Sequence, residues 1–153
     1  MILNAVLLGG FPIIKLFHIL TSLTFLVIAV WLYIRSFTGI IKKKAYTRLD
    51  KYLSFGFIIS LYLQLIFGVI LFSKLESGNG FSYLSAENSL KIVSKRLWPI
   101  EHIVLMLFAL FIANLGLILT LNSKSDMTRY RYILIYYSVS ILLIIFSLGI
   151  IYI

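Results

Sequence analysis

The chain has 153 residues, 61% of them hydrophobic and 12% charged, with 14 Lys+Arg against 5 Asp+Glu. A soluble domain averages roughly 45–50% apolar and 25% charged, so an ordinary soluble enzyme and a disordered chain are both excluded. With no cysteine there are no disulfides, iron–sulfur clusters, thiolate metal sites or cysteine nucleophiles.

The first apolar stretch runs from about Pro12 to Ile34 and holds only Lys15 and His18 as ionisable residues. It is too long for a cleaved signal peptide, lacks a basic run ahead of it and shows no small-residue cleavage pattern after it. A connector from Arg35 to Lys51 follows, carrying Lys42, Lys43 and Lys44. The second stretch, Tyr52 to Phe72, has no charge, and Gly56, Ser60, Gln64 and Gly68 recur along it every fourth residue, on one helical face. The next connector, Ser73 to Leu97, contains the turn residues Gly78, Asn79 and Gly80. Ser85 would cap an interfacial helix over about 86–97, with Leu90, Ile92, Val93 and Leu97 on one side and Lys91, Lys95 and Arg96 on the other; an irregular loop is the alternative.

The third stretch runs from Pro99 to Leu121 with Glu101 and His102 near its start. A short basic connector, Asn122 to Arg131, leads to the fourth stretch, Tyr132 to Ile153. Each is long enough to cross a hydrocarbon core, which takes about 20 helical residues. Inside lipid the backbone must satisfy its own hydrogen bonds, so helices are expected. The expected fold is all-α: an integral membrane four-helix up-down bundle forming one domain over residues 1–153.

Nine of the Lys/Arg residues fall in the first and third connectors (Arg35, Lys42, Lys43, Lys44, Arg48, Lys51, Lys124, Arg129, Arg131), and five on the other side (Lys15, Lys74, Lys91, Lys95, Arg96). The positive-inside bias puts those two connectors in the cytoplasm and both termini outside. Short basic runs between spanning stretches are the mark of membrane topology, so the lipid bilayer is the expected partner and nucleic acid is not. Trp98, Tyr52 and Tyr132 fit interfacial belts.

His18 and His102 are the only histidines. Helices one and three of an up-down bundle run the same way, and the two residues differ in depth by only about 4–5 Å at 1.5 Å per residue. Two imidazoles at one level suit axial ligation of a single b-type haem, whose iron takes nitrogen ligands on opposite faces. The small residues of helix two would make room for the macrocycle, with Gln64 and Gly68 near the histidine level and Gln64 able to bond a ligand ring or a quinone oxygen. Ser22 and Met106 lie one turn beyond the histidines on the same faces. Lys15, Lys95 and Arg96 would pair with outward-pointing propionates.

Plainer readings exist for each. A small-residue face is commonly helix packing, and Gln64 and Asn114 serve as interhelical glue. Lys15 can snorkel, and Glu101 can complement a helix dipole. A divalent metal site is disfavoured, because no carboxylate besides Glu101 lies near.

The run RLWPIEHIVLMLFALFIANLG, Arg96 to Gly116, resembles small four-helix membrane proteins of Bacteroidetes labelled cytochrome b. That group opens its third helix on an Arg–aromatic–Trp–x–x–Glu–His pattern, matched here by Arg96, Trp98, Glu101 and His102. LYLQLIFGVILF, Leu61 to Phe72, is similar to its second helix at Gln64, Leu65, Gly68, Ile70 and Leu71. Helix one matches through His18. The chain departs at Ser22, where the group often has Arg, and at Pro99, which replaces a small residue. The resemblance implies haem b and one-electron transfer in a bacterial inner membrane, with quinone or another membrane subunit as partner. Lys15–Leu–Phe–His18–Ile19 also looks like the run that opens the J-type protoporphyrinogen oxidases, which implies an enzyme as the alternative; a cofactor-free structural or assembly subunit is the third reading.

Overall fold

In the computed structural model, residues 2–73 and 93–149 are described, with side chains for 13–73 and 100–148. The first helix, α1, spans Ile2–Ile41; its apolar part, Ile13–Ile41, is long enough to cross a membrane. Thr21, Ser22, Thr24 and Thr38 add hydroxyls to this lipid-compatible helix without leaving them unsatisfied. Each donates to a carbonyl three or four residues back, Ser22 to His18 at 2.8 Å and Thr38 to Ile34 at 2.8 Å. The helix stops at Lys43, which takes a left-handed conformation (φ 47°), while the Lys44 amide reaches the Gly39 carbonyl at 3.0 Å.

The second helix, α2, spans Arg48–Ser73. It starts four residues before the expected Tyr52 because Thr47 and Asp50 form a capping box. The Thr47 amide donates to Asp50 Oδ2 at 2.8 Å, and the Asp50 amide returns to Thr47 Oγ1 at 3.5 Å. The third helix, α3, spans Val93–Asn122. Residues 93–97, expected to end an interfacial helix, are instead the first turns of α3. The rest of that expected helix, with Ser85 and the Gly78–Gly80 turn, lies outside the described residues. A linker of residues 123–125 replaces most of the expected third connector. The fourth rod begins as α4 (Asp126–Tyr132), passes through a π turn (Ile133–Tyr137) and continues as α5 (Ser138–Gly149). Four helical segments are long and apolar enough to span a membrane, as expected of an all-α membrane bundle.

The rods pack in a ring: α1 on α2, α2 on α3, and α3 along the whole fourth rod. The ring closes where α1 meets α4 and the π turn. The core lies between these contacts: Leu32, Phe57, Leu61, Ala109, Ala113 and Ile133 are buried. Phe57 stacks on Tyr137 (4.3 Å between centroids, 10° between planes) and touches Phe25 at 4.9 Å. Gly116 lets α3 approach the π turn closely, since a Cβ there would come 2.5 Å from Tyr136 Cβ.

Two contacts clamp α1 to the fourth rod at the connector end. The Tyr130 ring lies over Gly39, where a Cβ would sit 2.6 Å from Tyr130 Cδ2. Beside it, Asp50 is fully buried and gathers α1, the first connector and α4 around its carboxylate. Arg35 Nη2 donates to Asp50 Oδ2 at 3.1 Å, and Thr47 Oγ1 donates at 2.6 Å. The Tyr130 hydroxyl is 3.0 Å from Asp50 Oδ2 and 3.0 Å from the Ala45 carbonyl, so its single proton is shared. Away from these contacts a cavity opens between α1 and α5, lined along α1 from His18 to Ile34.

Candidate functional site

The cavity measures about 450 Å³, within the range of small-molecule sites. His18 and Ser22 of α1, Gln64 of α2 and His102 and Met106 of α3 supply its histidine end. Phe25, Leu61, Ile141 and Ile144 add apolar wall. Five of the residues expected at a site thus share one cavity. Both imidazoles, from α1 and α3, line this one cavity.

His102 is held by α5. Its Nδ1 is 2.9 Å from Ser147 Oγ, and the Ser147 hydroxyl spends its one proton on the Ile144 carbonyl at 2.6 Å. Ser147 therefore accepts, His102 Nδ1 carries the proton, and the ring's lone pair is on Nε2; the tautomer is assigned from the hydrogen bonds. Sequence reasoning missed Ser147. The signal available was its place on an apolar stretch, where a polar residue needs a partner.

His18 is half-buried, and its Nδ1 is buried with no hydrogen-bond partner. Its backbone is pinned instead. Gln64 Nε2 lies 3.0 Å from the His18 carbonyl, 2.8 Å from Thr21 Oγ1 and 2.8 Å from Ser22 Oγ. Both hydroxyls donate to α1 carbonyls, so their oxygens can accept from the amide. Gln64 ties α2 to α1 at the cavity edge through its amide nitrogen. Asn114 does not bridge helices through its amide nitrogen, which donates to the Leu110 carbonyl of its own helix at 2.8 Å.

The small-residue face of α2 does not make the space. Gly56 faces Ile28 of α1, where a Cβ would meet Cδ1 at 3.5 Å, and Gly68 faces the His18 ring, where a Cβ would meet Cε1 at 3.9 Å. That face is used up in packing α2 on α1, and neither Gly56, Ser60 nor Gly68 lines the cavity. The room lies between α1 and α5, which together supply most of the cavity lining. Lys15, about one turn before His18 on α1, is exposed and does not line the cavity. Arg96 and Lys95 lie on the first turns of α3, with side chains outside those described. Glu101 is exposed.

The Arg35–Asp50–Tyr130 cluster was also missed as a unit. Beside it, the Tyr46 hydroxyl contacts Ser54 Oγ at 3.3 Å, and burial pushes the Tyr46 phenol up from its ordinary value. This cluster lies at the clamped end and ties helices together. Among the described residues no group of three or more His, Cys, Asp or Glu gathers as a metal cage. Comparisons with family models, with curated proteins and with solved structures found no match to this chain.

Proposed function

We propose that the protein is a cytochrome b-like electron carrier of a bacterial inner membrane, binding one haem b between His18 and His102. The carrying observation is that the chain's two histidines, on α1 and α3, line one apolar cavity. The donor chemistry fits. Haem iron takes two axial nitrogens, so a pair of imidazoles with no third His, Cys, Asp or Glu gathered beside it among the described residues suits it better than it suits a discrete divalent cation. His102 has the outer hydrogen bond that orients a ligating imidazole, from Nδ1 to Ser147. The buried, unpartnered Nδ1 of His18 is a polar atom in want of a partner at the same site.

When bound, haem supplies one-electron redox chemistry. The chain's residues hold and shield it: Gln64 fixes the α1 segment carrying His18, while Met106, Phe25 and Ile144 keep water out. Lys15, exposed about one turn before His18, is a cation available to an acidic substituent at that end of the site. The Lys/Arg bias supports an orientation with both termini outside and the site in the outer leaflet. A single site in one leaflet implies exchange with quinone or another membrane subunit.

The test is the optical spectrum of detergent-purified protein, oxidised and dithionite-reduced, beside His18→Ala and His102→Ala. A sharp reduced α-band in the wild type, absent from both variants, is the expected result. A wild type that stays colourless after haem is supplied during expression overturns the reading.

A further inference from the structure

Asn114 sits near the middle of a membrane-spanning helix with too few partners. From Phe111, the centre of the Ile100–Asn122 span, it is about 4–5 Å along the axis at 1.5 Å per residue. A side-chain amide offers two N–H donors and an accepting carbonyl oxygen. One proton goes to the Leu110 carbonyl at 2.8 Å, while the other proton and the oxygen have no partner among the described residues. The side chain is half-buried, and Leu107, Phe111 and Ile118 beside it on α3 are exposed. Gly116 faces the π turn, and at 3.6 residues per turn Asn114 lies about 160° around α3 from it. Asn114 is therefore on the flank of α3 that borders α2. Across that border is Tyr62, close to the middle of the Arg48–Ser73 span. It is 45% exposed, and its hydroxyl has no partner among the described residues. Gly56 faces α1, and Tyr62 lies about 120° around α2 from it, on the α3 side. The outer face of the α2–α3 seam thus carries two polar groups short of partners, at a depth where lipid offers none.

We propose that this face docks a second copy of the chain, with the two Asn114 side chains exchanging amide hydrogen bonds across a two-fold axis along the membrane normal. Electrostatic complementarity selects the occupant. An amide carries both a donor and an acceptor, so it is its own complement, and a two-fold contact sets the same surface against itself. Two copies inserted in the same orientation bring Asn114 to one depth. No Lys, Arg, Asp or Glu lies between Tyr52 and Phe72 or between His102 and Asn122, so the faces meet without like-charge repulsion. A phospholipid keeps its donors and acceptors at the headgroups, away from the mid-span. Asn side chains in membranes hydrogen-bond across helices, and the one bond that Asn114 makes among the described residues stays within α3. Neither Asn114 nor Tyr62 lines the histidine cavity, so the proposal does not rest on the haem reading.

The chain's lack of cysteine allows a clean test. Full-length protein carrying Lys124→Cys, an exposed position in the linker before α4, is labelled with donor or acceptor dye. Energy transfer between copies is followed in phosphatidylcholine vesicles as lipid is added. Transfer above the level of random proximity, falling with dilution, is expected. Asn114→Leu should weaken association at least about tenfold, the scale of an interhelical hydrogen bond in model peptides. Asn114→Gln keeps donor and acceptor and should retain most of the association. In the otherwise unaltered chain, oxidation should cross-link Leu107→Cys, two turns from Asn114 on the same flank. It should leave Val27→Cys, exposed on α1, as monomer. The cross-linking arm decides the question even if Asn114→Leu fails to fold, which circular dichroism reports. Random-level transfer in the wild type overturns the proposal and assigns the face to lipid or to a different chain. Unchanged association of a folded Asn114→Leu overturns it, as does cross-linking through Val27→Cys in place of Leu107→Cys, since either puts the contact elsewhere. The haem α-band is scored separately.

Discussion

His102 Nδ1 and Ser147 Oγ lie 2.9 Å apart, joining the start of α3 to the end of α5. With Ser147 donating onward to the Ile144 carbonyl, the bond to His102 goes with the Nδ1–H tautomer. Removing that acceptor takes away the bond that ties Nδ1 to α5. Outer-shell partners of ligating histidines are worth about 10–100-fold in affinity. Ser147→Ala is expected to weaken haem binding by about that factor while leaving the helical content unchanged, and Ser147→Thr is expected to recover most of it. Haem titration beside circular dichroism checks both.

Asp50 is the most connected polar side chain in the molecule's clamped end. Its carboxylate receives Arg35, the Thr47 amide and hydroxyl, and the Tyr130 hydroxyl. Asp50→Ala removes the cap of α2 and strands the Arg35 charge. Breaking a buried pair costs about 3–5 kcal/mol, and since the Arg35 side chain is 30% exposed water relieves part of it, so about 2–3 kcal/mol is expected. Tyr130→Phe removes one hydrogen bond to a charged group and is expected to cost about 1.5 kcal/mol. Unfolding of the detergent-solubilised protein should rank wild type above Tyr130→Phe above Asp50→Ala.

Glycines of similar sequence character separate sharply by their surroundings. A Cβ on Gly39 would come 2.6 Å from Tyr130 Cδ2 and 2.7 Å from Cζ, and that ring is fixed by its hydroxyl. A Cβ on Gly56 would meet only the end of Ile28 at 3.5 Å. Overpacking a fixed neighbour costs about 1–3 kcal/mol, so Gly39→Ala is expected to destabilise by that amount and Gly56→Ala to be neutral or stabilising through helix propensity. Midpoints from thermal unfolding distinguish them.

The four spans and their order were legible because apolar length is a strong signal and lipid leaves helices as the available solution. The boundaries were less so. The start of α2 was readable from Thr47 and Asp50, which have the spacing of a capping box, but their charges and hydroxyls look like connector composition. The meeting of His18, His102, Ser22, Gln64 and Met106 followed from depth matching. The source of the cavity did not, because every-fourth small residues fit tight packing and open space equally well. The partners of Asp50 come from α1 and α4, and the π turn that shifts Tyr136 and Tyr137 leaves no mark in hydrophobic periodicity. Such relationships depend on how rods are placed, which residue spacing within one rod does not encode.

Gln64 offers a final discrimination. Its amide nitrogen has two protons for three acceptors on α1, and two of these, Thr21 and Ser22, keep their own bonds to carbonyls of α1 when it is removed. The loss is therefore one of attraction and leaves no stranded hydroxyl, and interhelical hydrogen bonds in membranes average about 0.6 kcal/mol with a ceiling near 1.7. Gln64→Leu is expected to cost no more than about 1 kcal/mol in stability. Its effect should appear at the site instead, because the amide holds the backbone of the turn that carries His18. Haem affinity and the width of the reduced α-band should change more for Gln64→Leu than for Gly56→Ala, which leaves that turn untouched. Equal spectra for the two variants, with a large stability loss for Gln64→Leu, would show that Gln64 acts on the fold alone and has no part in positioning His18.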